Sequence, residues 1–102
     1  MSRATEVIVG IALDEGLTLE QLARACAVEP DWIVARVTEG LFVAEGRSAP
    51  EWRFTATTLR RARRMRAIER DFDAAPELAA LVADMLDEMD SLRARLGAGG
   101  YR

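Results

Sequence analysis

The chain has 102 residues, half of them hydrophobic and 30% charged, with a formal net charge of -3. That balance fits one ordinary globular domain and argues against a disordered polymer, a second domain, or a surface that attracts nucleic acid by net charge alone. Histidine is absent, the 14 basic residues are all arginine, and there is one cysteine, so zinc chemistry, a histidine base, a Cys–His pair and an internal disulfide are not expected.

Val7, Val9, Ile11 and Leu13 alternate with Ile8, Gly10 and Ala12, a pattern that predicts a short half-buried strand. Asp14, Glu15 and Gly16 form a turn, and Thr18-Leu-Glu-Gln21 fits a capping box, so a helix should begin at Leu19. Leu19, Leu22, Ala23 and Cys26 fall on one face of it, which makes Cys26 a buried small hydrophobe. A second helix is predicted from Pro30, with Ile33, Val37 and Leu41 recurring every fourth residue and Gly40 in the place of a left-handed cap. Two short helices joined by about four residues make a helix-turn-helix.

The turn-rich stretch Ala44 to Pro50, followed by Glu51-Trp52-Arg53-Phe54, predicts a two-stranded β wing, to which the amino-terminal strand could add. Thr55 is the expected N-cap of a third helix with apolar positions Leu59, Ala62, Met65, Ile68 and Phe72. After a break at Ala74 and Ala75, Pro76 opens a fourth helix running to about Leu96, with Gly97, Gly99 and Gly100 ending it. Its residues Leu78, Val82, Met85, Met89, Leu92 and Leu96 are spaced as the a and d positions of about three heptads. Leu81 and Leu86 widen that seam, so the helix should pack against the domain and against something further, a second copy being the economical candidate beside purely intrachain packing. The expected fold is therefore mostly α: a winged helix-turn-helix with its third helix over 1–73, a packing or dimerisation helix over 74–97, and a flexible tail over 98–102.

Residues 1–58 hold five arginines against nine carboxylates, a balance that would repel phosphate from the half of the chain carrying the helix-turn-helix. Glu29, Asp31 and Glu39 lie on or beside the second helix and Glu45 follows it, with Arg36 alone in opposition. This is either a solvated acidic face or a docking face for a basic protein partner. Trp32 stands next to the cluster, as a core residue or as an interface anchor. The third helix is the basic exception: Arg60, Arg61, Arg63, Arg64, Arg66 and Arg70 either grip phosphates or answer the acidic fourth helix, where Asp84, Asp87, Glu88 and Asp90 cluster. No pair of carboxylates sits in a context that marks acid and base roles, and no glycine-rich phosphate loop or nucleophile motif is present, so no catalytic, cofactor or metal residue is expected. No stretch approaches the roughly 18 apolar residues of a membrane span and no leader pattern opens the chain, so the expected location is the cytoplasm.

From about Leu17 to Leu96 the chain resembles the CbpM-type chaperone modulators, which are MerR-like proteins. The residues that carry the resemblance are Glu51-Trp52-Arg53-Phe54, Leu59, Arg61-Ala62-x-Arg64-x-Arg66, and the helix from Leu78 through Met85 and Met89 to Leu92. The helix-turn-helix with Gly40-Leu41 is shared with MerR-like regulators generally. The resemblance implies a non-enzymatic protein without cofactor that binds the J-domain of a DnaJ/CbpA-like co-chaperone and inhibits it by covering its Hsp70-facing surface. On charge grounds Glu29, Asp31, Glu39 and Glu45 would meet the basic J-domain helix, with Trp32 as anchor. The competing expectation is a MerR-like transcriptional regulator that binds DNA as a dimer; the acidic second helix counts against it. An adaptor that joins another assembly through the fourth helix is a third reading.

Overall fold

A computed structural model describes residues 16–98, and the strand predicted over 7–13 lies outside them. Four α-helices follow in order: α1 (Leu19–Cys26), α2 (Pro30–Thr38), α3 (Ala56–Phe72) and α4 (Pro76–Ala98). A single 3-10 turn, Ala49–Glu51, lies between α2 and α3. None of these helices is long and apolar enough to cross a membrane.

The capping box at the start of α1 is present in full. Thr18 Oγ1 accepts from the Gln21 N–H at 3.1 Å, and Gln21 Oε1 accepts from the Thr18 N–H at 2.9 Å, so two donors that the helix leaves unpaired are satisfied reciprocally. Leu19, Leu22, Ala23 and Cys26 are all buried, as the spacing predicts. The helix closes on Ala27 in the left-handed region, φ 57°, a conformation that costs a non-glycine residue about 1 kcal/mol. The sharp reversal lets α2 begin three residues later. Pro30 occupies its first turn. At the far end the N–H groups of Gly40 and Leu41 donate to the carbonyls of Val37 and Arg36 at 3.0 and 2.8 Å, with Gly40 at φ +80°. This is a Schellman closure, whose left-handed position favours a residue without a Cβ.

The two-stranded wing is not formed: among the described residues there is no strand, only two isolated antiparallel bridges. Glu45 and Arg53 exchange N–H···O bonds of 3.1 and 2.9 Å, and Leu17 and Phe54 exchange two of 2.8 Å. The ladder cannot lengthen in either direction. On one side the Ala49–Glu51 turn, with Pro50 lacking a donor, takes up the residues that a longer hairpin would pair. On the other, Thr55 already caps α3, its Oγ1 accepting from the Thr58 N–H at 3.1 Å. Phe54 pairs instead with Leu17 and carries its ring into the core, 1% exposed. Around it, Leu17, Leu22, Ile33, Leu59 and Met65 are fully buried, which joins α1, α2, α3 and the loop in one cluster.

Helix α3 buries Leu59, Ala62, Met65 and Ile68 as expected, together with Ala56 and Thr58. Phe72 is the exception, 76% exposed at the helix's last residue just before the chain reverses at Asp73 (φ 51°), where it borders an apolar pocket with Leu78 and Val82. Helix α4 docks on α3 through alanines: Ala79, Ala80 and Ala83 are buried, while Val82 and Leu86 are partly so. Of the heptad seam only Val82 touches this core. Leu78, Met85, Met89, Leu92 and Leu96 are 44 to 58% exposed, and Leu81 lies beside them at 56%. The helix thus has an inner alanine face and an outer stripe of large residues.

Ion pairs rather than large side chains fix the inner face. Arg61 pairs with Asp84 and also donates to the Leu41 carbonyl at 2.9 Å, while Arg64 reaches Asp87 at 2.8 Å and Asp90 at 3.2 Å. These two arginines do answer the acidic fourth helix. That helix also continues through Gly97 to Ala98, two residues beyond the expected end, since a glycine in the last turn weakens a helix without stopping it.

Candidate protein-interaction site

Helix α2 is the second helix of the helix-turn-helix, the element that in a DNA reader presents donors to base edges. Its one basic residue is Arg36, and Arg36 faces inward, 9% exposed. The guanidinium lies 4.1 Å from the centroid of the Trp32 ring and its Nη2 donates to Glu69 Oε1 at 2.6 Å. Trp32 Nε1 donates to the same oxygen at 3.2 Å. The ring of Trp32 packs at a tilt on Phe42, 5.7 Å between centroids. The result is a three-residue knot between α2 and α3 in which the only cation of α2 is neutralised beneath the surface.

What α2 shows to solvent is therefore acidic or neutral. Glu29, Asp31, Thr38 and Glu39 are exposed, and Val34 and Ala35 are partly so. Glu29 precedes the first turn without making a side-chain cap bond and Asp31 lies within that turn, so these two carboxylates share one end of the helix. Glu39 caps the opposite end, eight residues and about 12 Å further along the axis. Glu45 is exposed beyond the Schellman turn, on the residue that bridges to Arg53. The five candidate residues thus lie along one helix and its following loop, with Glu29 and Asp31 paired and Glu39 and Glu45 apart from them. Trp32 is partly buried: its indole nitrogen is held by Glu69, while the residue also lines a cleft of about 730 Å³ that includes Arg24, Glu29, Arg66 and Glu69.

Glu69 is the residue that the sequence reading missed. It is the one glutamate of α3, placed directly after the buried Ile68 in a helix otherwise rich in arginine. An acid directly after an apolar position in a basic helix was the available signal. Cys26 offers no reactivity, because burial pushes its thiol up to about 11 against a weaker opposing pull from Arg63, and a thiol so raised stays protonated near neutral pH.

A sequence profile described as MerR HTH family regulatory protein matches residues 17–98. No curated protein and no solved structure matches the chain.

Proposed function

Because the chain belongs to the MerR helix-turn-helix regulatory family, we propose that it regulates by binding a protein: it is a non-enzymatic modulator that covers the J-domain of a DnaJ/CbpA-like co-chaperone on its Hsp70-facing side. The observation that carries this reading is the burial of Arg36 against Glu69, which leaves α2 an acidic face complementary to a basic partner helix and poorly suited to phosphate or base edges. Glu29, Asp31, Glu39 and Glu45 supply the charge, and the exposed part of Trp32 supplies apolar contact beside them. Inhibition follows by occlusion, with no chemical step.

Titration calorimetry against an isolated J-domain, with duplex DNA as the parallel titrant, tests it. The wild type should bind the J-domain with an affinity that falls as salt rises, and should not bind DNA. The double substitution Asp31→Asn with Glu39→Gln should weaken J-domain binding roughly tenfold and flatten the salt dependence. An unchanged dissociation constant would sink the residue assignment, and DNA binding in place of J-domain binding would restore the transcriptional regulator.

The outer stripe of α4 extends this reading to a homodimer. With Leu81 in place of the packed Val82, its six exposed residues are spaced 3-4-4-3-4, the three- and four-residue intervals of a helix face that meets another helix. Met85→Glu with Leu92→Glu places charge in the stripe without touching the alanine face. Sedimentation should show the wild type as a dimer and this variant as a folded monomer; a monomeric wild type at high micromolar concentration refutes the seam.

A further inference from the structure

The six arginines of α3 divide into two populations. Arg61 and Arg64 are committed to α4. Arg60, Arg63, Arg66 and Arg70 recur at intervals of three and four along another side of the helix, over about 15 Å. Among the described residues Arg60, Arg63 and Arg66 form no ion pair, and Arg70 meets only its own neighbour Asp71, at 3.2 Å. The side chains of Arg63 and Arg66 also donate no hydrogen bond among those residues, although both residues are half-buried.

The space they face is a groove of about 300 Å³ between α3 and the last turn of α1. Ala25, Cys26 and Ala27 make one wall, Arg63, Arg66 and Arg70 the other, and no carboxylate lines it. Arginines set in a groove wall without a counter-ion among the described residues attract an incoming anion more strongly than cations in open solvent do. The small wall residues leave room for that anion to approach.

We infer that this groove is a docking site for an acidic protein segment, a helix that carries carboxylates at three- and four-residue intervals. The flanks select this occupant over nucleic acid. Glu29 and Asp73 line the cleft on one side, and Asp87 and Asp90 line the one on the other. A duplex, with one charge per about 1.7 Å of axis, would press phosphates against those carboxylates. A single helix, about 10 Å across, covers less of this surface than a duplex and seats a row of carboxylates on the arginines, with Arg forks pairing bidentately. The site uses residues and charge of the opposite kind to those of the J-domain reading and stands without it.

A short labelled helical peptide bearing glutamate at every third and fourth position is the probe, read by fluorescence anisotropy, with its glutamine counterpart and a duplex oligonucleotide as controls. The glutamate peptide should bind and both controls should not. Arg63→Gln with Arg66→Gln should weaken binding by about tenfold or more, with an unchanged melting temperature since neither side chain forms an ion pair among the described residues. Arg60→Gln, at the rim, should weaken it less. Equal binding by the double variant, equal binding of the glutamine peptide, or binding of the duplex alone would overturn the site.

Discussion

Replacing Glu69 by alanine is expected to lower the unfolding free energy by about 3 kcal/mol, because it strands the Arg36 guanidinium in the interior. Both side chains are nearly buried, at 11% and 13% exposure, and the pair spans 2.6 Å. The same substitution removes the acceptor of the Trp32 indole N–H, so two donors lose their partner together. The pair is nonetheless imperfect, since Arg36 Nε and Glu69 Oε2 find no hydrogen-bond partner among the described residues. Arg36→Met combined with Glu69→Leu should therefore recover part of the loss, the charges going together with their desolvation cost while the Trp32 N–H stays without its acceptor. Urea denaturation of the three proteins decides the matter. A single-variant loss below about 1 kcal/mol would mean that water reaches the knot and that its charges are effectively solvated.

Phe54→Ala is expected to cost about 3 to 5 kcal/mol, the usual range for emptying an aromatic site in a core. The backbone bridge to Leu17 needs no side chain and should survive, so the loss measures the cavity rather than the pairing. The ring meets Trp52 edge-on at 6.1 Å, and that contact goes with it. Phe54→Leu fills more of the space and should cost roughly 1.5 kcal/mol or less. Thermal melts of both variants check the order; if alanine and leucine behave alike, the loop before α3 contributes little to the core.

These expectations rest on features that were legible in the sequence to different depths. Thr18 with Gln21, Pro30, Gly40 and Thr55 mark helix ends by local chemistry, within four residues of the groups they satisfy, so the helix-turn-helix and the start of α3 could be read directly. The alternation of Trp52 and Phe54 correctly signalled a buried face at Phe54, but strand pairing depends on a partner, and Phe54 found Leu17, 37 residues earlier, rather than a neighbouring strand.

In α4 the period of the large residues was plain while the docking face was not. Three alanines carry little weight in a hydrophobic pattern, yet their size lets α4 approach α3 closely enough for Asp84 and Asp87 to meet arginines there. Arg36 and Glu69 are 33 residues apart, and no spacing rule connects them. The acidic surface of α2 was visible as composition; that its single cation is withdrawn from it required the fold.

Among the described residues Arg61 is the one side chain that holds both the fourth helix, at Asp84, and the turn that closes the second, at the Leu41 carbonyl. A group shared in this way acts as a thermodynamic tie. Whatever shifts α4 along α3 must stretch or release the bond to that turn, and whatever clamps the turn opposes the shift by the same free energy. The outer stripe and the acidic face stand on different helices, yet the helices that carry them are joined through this one guanidinium.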